Sequence, residues 1–356
     1  MKKIVFTGGG TAGHVTPNLA LVPFIHGAEI HYIGSNGIEK TLAKKAGLIF
    51  HEIPCVKLVR AFTLKNLKIP FMLASSVNAA KKILREIKPD VIFSKGGFVG
   101  LPVALAADNQ TPLFLHESDM SMGLANRIAY RKCDVLFTSF DCIKKKKAVF
   151  SGAPLRREIY CGDKNKALKQ SRLTDNGKKF LLVFGGSLGA RSINKAVDDN
   201  LCALTEKYNV IHIRGKGNKL GITKTGYFEI EFTENIYDFF ALSDIVVSRG
   251  GANSLFELMA LKKPTLCIPL SKEISRGDQI DNASYFQKRG CLNILNDNGL
   301  LKGHLLGAIA ETACNAEVYR KNIGLLSGID GTKTIARAIN EAVGSAPAQI
   351  TDRPTH

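Results

Sequence analysis

The chain has 356 residues, 45% of them hydrophobic and 22% charged, a composition ordinary for a globular protein and long enough for two domains of roughly 150–200 residues. Lys and Arg outnumber Asp and Glu by 49 to 31, a net charge of +18, which favours anionic partners: phosphate-bearing substrates, acidic lipid headgroups or nucleic acid. No apolar stretch approaches the ~20 residues of a membrane-spanning helix, and the N-terminal run Ile4-Val5-Phe6 ends in glycines, so neither a span nor a signal peptide is expected.

The first expected strand, Lys3–Thr7, runs into Gly8-Gly9-Gly10-Thr11-Ala12-Gly13. Glycines after a strand let the backbone approach an anion, and the following helix start offers unpaired N–H groups. A nicotinamide site also needs an acid at the end of the second strand. The second expected strand, Glu29–Ile33, leads into Gly34-Ser35, with no acid before Glu39, which disfavours a dinucleotide. His14 follows the turn directly. It suits a general base, or equally a helix-start residue packed on the loop.

Residues 57–73, KLVRAFTLKNLKIPFML, interleave Lys57, Arg60, Lys65 and Lys68 with apolar side chains up to Leu73. That pattern suits an anionic membrane surface, or a helix packed on its own domain with a wet basic face. The next expected strand, Val91–Ser94, meets Lys95-Gly96-Gly97-Phe98, a helix start suited to an acceptor diphosphate with Lys95 assisting. Leu113–His116 ends at His116 and Glu117, reserve candidates for the base, and Val135–Thr138 closes the first series. The run Lys144–Lys147 reads either as part of the basic patch or as a solvated loop.

A junction is expected near 151–157, followed by a polar, exposed connection over Ala167–Lys179. The second series comprises Phe180–Phe184, Val210–Arg214, Ile245–Ser248 and Thr265–Pro269. Its turns echo the first: FGGSLGAR resembles FTGGGTAGH, and SRGGANS resembles SKGGFVG. Ser187 suits a phosphate contact. In Ser248–Glu257, small residues expose a helix start, and Glu257 lies about a turn further on, suited to ribose hydroxyls. The cluster 275–282, with Asp278, Gln279 and Asp281, follows the last strand, where ligands of open α/β sheets bind. A helix is expected over Thr332–Val343, and a disordered tail over 344–356.

Strands alternating with helical patterns predict an α/β protein of two doubly wound, Rossmann-like domains. The boundaries are set at 1–155 and 156–331, with the helix 332–343 packing back on the first. Of the basic excess, +11 falls in residues 1–155 and +7 in the remainder. The eight cysteines form no CxxC pair, so zinc spacing is missing and reduced thiols are expected. There is no Asp-x-Asp, and Asp278 and Asp281 are read as sugar or loop contacts. Helix starts and basic groups, not a metal, are then expected to neutralise the diphosphate.

Taken together, GGGTAGHVTPNLAL, FSKGGFVGLPVALAA, HESDMSMGLANRIA, FGGSLGARSIN, SRGGANSLFELMAL and SRGDQIDNA resemble the MurG family, the N-acetylglucosaminyltransferases of peptidoglycan synthesis, in their Gram-positive-like branch and over about residues 1–343. The resemblance implies the glycosyltransferase-B architecture, with a cleft between the domains. It implies inverting transfer of GlcNAc from UDP-GlcNAc to the 4-hydroxyl of MurNAc in undecaprenyl-diphosphoryl-MurNAc-pentapeptide (lipid I), giving lipid II and UDP. It also implies no cofactor or metal and a peripheral position on the cytoplasmic side of the cell membrane; with no recognised nucleic-acid module and only 8% aromatic residues, no nucleic-acid partner is expected. Carried over residue by residue, donor contacts fall on Thr11, Ala12, Gly13, Asp119, Arg156, Ser187, Thr233, Gln279 and the segment Ala252, Asn253, Ser254, Leu255, Phe256 and Glu257. The base falls on His14. Two positions depart from the family pattern: Asp119 stands for an Asn and cannot donate as an amide does, and Leu188 stands for a Gln. A glycosyltransferase for another lipid, a UDP-GlcNAc 2-epimerase of similar fold, and a basic protein binding membranes or nucleic acid without catalysis are the competing readings.

Overall fold

A computed structural model of the chain describes residues 1–55, 69–186, 188–272, 275 and 277–344. They divide into two units: Met1–Arg156 with the chain from Asp330 onward, and Arg157–Ile329. Most of the basic segment 57–73, all of the tail after Gly344, and Ser187 and Arg276 lie outside the described residues.

The first unit holds β1 (Lys2–Thr7), β2 (Ala28–Gly34), β3 (Ile49–Glu52), β4 (Val91–Ser94), β5 (Leu113–Glu117), β6 (Val135–Thr138) and β7 (Ala148–Phe150). They form one parallel sheet in the order β3-β2-β1-β4-β5-β6-β7. Side chains alternate between its faces. Val5 joins Ala80, Leu84, Leu101 and Val103 on one side, while Ile4 and Phe6 join Val15, Leu21, Ile335 and Ile339 on the other. Covered on both faces, the central strands read as unbroken apolar runs. The helix Thr332–Ala342 belongs to this unit, and Thr332 pins its start by bonding the Leu155 N–H (2.8 Å) and carbonyl (3.1 Å).

The second unit repeats the plan with β8 (Lys179–Phe184), β9 (Tyr208–Ile213), β10 (Tyr227–Ile230), β11 (Ile245–Ser248), β12 (Thr265–Cys267) and β13 (Asn293–Ile294). Its parallel order is β10-β9-β8-β11-β12-β13. In each sheet the winding reverses at one point, β1/β4 in the first and β8/β11 in the second. Folds of this kind bind ligands there, beyond the carboxyl ends of the strands.

Two expectations are corrected. The segment expected as a loop from Ala167 to Lys179 begins inside a helix, Lys164–Ser171, capped by Asp163 accepting from the Asn165 N–H (2.8 Å). Only its Ala167 and Ser171 are buried, so its apolar period is too thin to register. Strands β3, β7, β10 and β13 were not anticipated. All four lie at sheet edges, and β7 leaves Val149 and Phe150 about 40% exposed, so these strands lack the full apolar run of a central one.

Candidate active site

In the first unit the turns after β1 and β4 flank the switch point. Gly8 (φ +144°) must be glycine, because a Cβ there would lie 2.8 Å from the His14 carbonyl. Tyr32 Oη donates to the Gly8 carbonyl (2.7 Å) and Asn18 Nδ2 to the Thr7 carbonyl (3.0 Å), tying the turn to β2 and the helix Thr16–Leu21. The turn closes in a short 3-10 segment, Ala12–His14, with Thr11 exposed and His14 partly so. The helix Gly97–Ala106 begins behind Gly96 (φ +79°) and Gly97 (φ +75°). A Cβ on Gly97 would stand 3.5 Å from His14 Nε2, so the imidazole borders this helix start. The sequence placed these two features separately; the β1/β4 pairing brings them together.

The other candidates of this unit are enclosed. Lys95 is 2% exposed, and its ammonium donates to Ser118 Oγ. Burial pushes its pKa down to about 8, against the pull of Glu117 and Asp119. It braces the β4 turn against the β5 turn and does not face solvent. Gly96 spends its own N–H on Ser94 Oγ (3.2 Å). His116 is fully buried, with Nε2 3.3 Å from the Gly152 carbonyl. Burial and the nearby Lys95 hold its pKa well below the usual imidazole value. The Glu117 carboxylate accepts from Asn126 Nδ2 (2.9 Å) and from the N–H groups of Gly123 (2.9 Å) and Asp119 (3.2 Å). These contacts make His116 and Glu117 supports of the β5 turn. Asp119 and Arg156 are partly exposed.

In the second unit, Gly185, Gly186 and Gly189 shape the turn after β8. A Cβ on Gly189 (φ +77°) would fall 2.0 Å from the Arg214 carbonyl. Asn218 Nδ2 holds the Leu188 carbonyl (3.2 Å), and Asn194 Nδ2 holds that of Arg214 (2.9 Å). Beneath them the buried Arg214 bonds Asp198 (2.6 and 2.8 Å) and pairs with Glu229 (3.4 Å). The helix Ala252–Ala260 starts behind Gly250-Gly251. Leu255 and Phe256 are 0% and 2% exposed, and Phe256 packs edge-on against Phe286. Only Asn253, Ser254 and Glu257 therefore present polar side chains from this segment, and Leu255 and Phe256 have only backbone to offer a ligand. Gln279 Oε1 accepts from the Leu270 N–H (3.0 Å), so its carboxamide nitrogen is the end it can present. Thr233 Oγ1 accepts from the Asn235 N–H (3.0 Å) in the turn after β10.

Arg249 carried no role in the sequence reading. It joins three elements, donating to the Ile268 carbonyl (2.9 Å), Ser192 Oγ (2.6 Å) and Asp297 Oδ1 (3.3 Å). Asp297 in turn accepts from the Ser271 N–H (3.2 Å). The turns after β11 and β12 are thereby locked together. Among the described residues, no group of three His, Cys, Asp or Glu could hold a metal ion.

The Glycosyltransferase family 28 N-terminal domain matches residues 4–138, and the Glycosyltransferase family 28 C-terminal domain matches 180–324. The UDP-N-acetylglucosamine--N-acetylmuramyl-(pentapeptide) pyrophosphoryl-undecaprenol N-acetylglucosamine transferase of Clostridium tetani is 45% identical over 343 residues, 92% of this chain and 96% of that protein. The chain belongs to the MurG family. A Bacillus anthracis transferase of the same description is 43% identical over 353 residues, 96% of this chain and all of the relative. The solved MurG of Acinetobacter baumannii shares the fold, with a TM-score of 0.73 at 19% identity over 96% of this chain and all of that one. An S. aureus MnaA structure with UDP also shares it, with a TM-score of 0.63 at 16% identity over the whole of this chain and 99% of that one.

For a MurG-family chain, the residues sequence reasoning passed over are Arg249, Arg214, Asn126 and Glu39. Each acts on a turn instead of presenting itself to solvent. Arg249 and Asn126 sit inside motifs already singled out, SRGGAN and GLANRIA, and that was the one signal available for them.

Proposed function

We propose that the chain transfers N-acetylglucosamine from UDP-GlcNAc to the 4-hydroxyl of MurNAc in lipid I, with inversion, releasing UDP and forming lipid II for peptidoglycan synthesis. The observation that carries this reading is near full-length kinship with transferases whose names state that donor and that acceptor. His14 takes the proton of the acceptor hydroxyl as its oxygen attacks the anomeric carbon, and the bond to UDP breaks on the opposite face. The N–H groups opening the helix Gly97–Ala106 receive the acceptor diphosphate; the bordering imidazole supports this pairing of roles. The donor is held through Thr11, Ala12, Gly13, Asp119, Arg156, Ser187, Thr233, the helix start at Ala252–Ser254, Glu257 on the ribose, and Gln279 through its carboxamide nitrogen. The diphosphate is neutralised by glycine-turn amides and helix starts, without a required cation.

The same reading puts the protein peripherally on the cytoplasmic face of the cell membrane, held by the surface that includes residues 57–73, with no nucleic-acid partner. Among the described residues no helix is long and apolar enough to cross a membrane. The helix Ile69–Ile87 presents Phe71 (80% exposed) and Met72 (42%) at its start and exposed Lys81, Lys82 and Arg85 further along. Apolar side chains beside cations suit an anionic bilayer. The test of the function is radiolabelled UDP-GlcNAc with a lipid I analogue. Labelled disaccharide-lipid is expected; epimerised UDP-sugar without transfer would sink the reading.

A further inference from the structure

We propose that Glu39 is a positioning residue for the transfer: its buried carboxylate sets the glycine turn after β1 so that His14 stands at the start of the helix Gly97–Ala106. This rests on reading His14 as the base.

Glu39 lies in the first turn of the helix Ile38–Lys45 and is 0% exposed. Among the described residues no cation lies within ion-pair distance of it. A buried carboxylate without a counter-charge is costly unless donors surround it. Here Oε2 accepts the Gly10 N–H (3.2 Å), and Oε1 accepts the Ser35 N–H (3.1 Å) and the Ser35 hydroxyl. The backbone is cleared to make room. A Cβ on Gly9 would fall 2.5 Å from Glu39 Cδ, one on Gly34 2.8 Å from Cγ, and one on Gly37 2.8 Å from Oε2. Three glycines thus share one steric cause, the side chain of Glu39.

The opposite side of the turn is closed by Phe98 of the Gly97–Ala106 helix. A Cβ on Gly10 (φ +85°) would fall 2.3 Å from its ring. Gly10 is therefore held between a carboxylate and an aromatic ring, four residues before His14. In a dinucleotide-binding turn, such amides receive the ligand's pyrophosphate. In this chain an internal anion takes the Gly10 N–H, so that part of the turn serves geometry.

The test compares Glu39→Gln, Ser35→Ala and His14→Ala with wild type in the lipid I analogue assay. Glutamine keeps the shape but turns an NH2 group against N–H donors. Displacement of a reacting group lowers turnover with little effect on remote binding, so Glu39→Gln is expected to lower kcat about tenfold or more, with the KM for UDP-GlcNAc within about twofold. Ser35→Ala, which removes one donor, is expected to give a smaller fall in kcat. Wild-type kcat in Glu39→Gln overturns the proposal. So does a loss of activity that follows only the folded fraction, measured by thermal melting, with kcat per folded enzyme unchanged. If Glu39→Gln does not fold, Ser35→Ala decides: unchanged kcat overturns the proposal. His14→Ala with wild-type turnover overturns the base reading, and with it the geometry Glu39 serves. His14→Ala inactive beside a fully active Glu39→Gln overturns only the role of Glu39.

Discussion

Three histidines of this chain occupy three settings, and the setting decides what each ring can do. His14 is partly exposed at an open turn beside a helix start. His116 is sealed under the β5 turn. His212 is sealed among Asn194 (3.0 Å), Tyr227 (3.0 Å) and Arg214. His14→Ala is expected to lower turnover about 10²–10⁴-fold, the usual weight of general acid–base catalysis, while UDP-GlcNAc affinity by calorimetric titration stays within a few-fold. Burial, then the adjacent Arg214, pushes the His212 pKa down to about 3 from 6.5. The unfolded chain therefore takes up a proton on this ring at a pH where the folded chain does not. The stability at stake is complete above pH 6.5 and is lost as pH falls toward about 3. By pH 5 the loss should reach about 2 kcal/mol. Urea unfolding at pH 7.5 and pH 5 checks this, and His212→Asn should flatten that part of the difference.

Elements, not single residues, carry the glycine turns. Each turn links a strand in the middle of a sheet to a helix, and glycine appears where the backbone turns left-handed or another chain segment presses close. Gly189 meets both conditions, so Gly189→Ala should destabilise the protein by about 1–3 kcal/mol. It should also raise the KM for UDP-GlcNAc more than that for the acceptor, a comparison steady-state kinetics makes directly. Central strands were legible because two covered faces leave unbroken apolar runs: Val91–Ser94, Val135–Thr138 and Ile245–Ser248 were read to the residue. Edge strands and the polar helix Lys164–Ser171 were not, since little of their surface enters a core.

At the scale of the whole molecule, the +18 charge gives the membrane reading its ionic signature. Each Lys or Arg near an anionic surface contributes about 1 kcal/mol, screened beyond ~10 Å at 0.1 M salt. Sedimentation with phosphatidylglycerol vesicles should show binding that weakens as salt rises, with a further loss in Phe71→Ser. Zwitterionic vesicles binding equally well would contradict it. Neutralisation by amides and helix starts predicts that EDTA leaves the transfer rate unchanged; a rate restored only by added divalent cation would overturn that reading.

The sequence by itself determined the α/β class, the two series of strands, the glycine turns and the family. Each of these is written in local pattern: apolar runs, glycines at strand ends, and motifs a few residues long. Tertiary structure alone decided which turns face one another. The order β2-β1-β4 brings His14 to Gly97, and β8-β11-β12 brings the turns of the second unit under Arg249. It also separated groups that look alike in sequence. Lys95, His116 and Glu117 were drawn inward as supports, whereas His14 stayed at the open turn. Burial and partner geometry depend on contacts between residues far apart in the chain, and those contacts exist only once the sheets have formed.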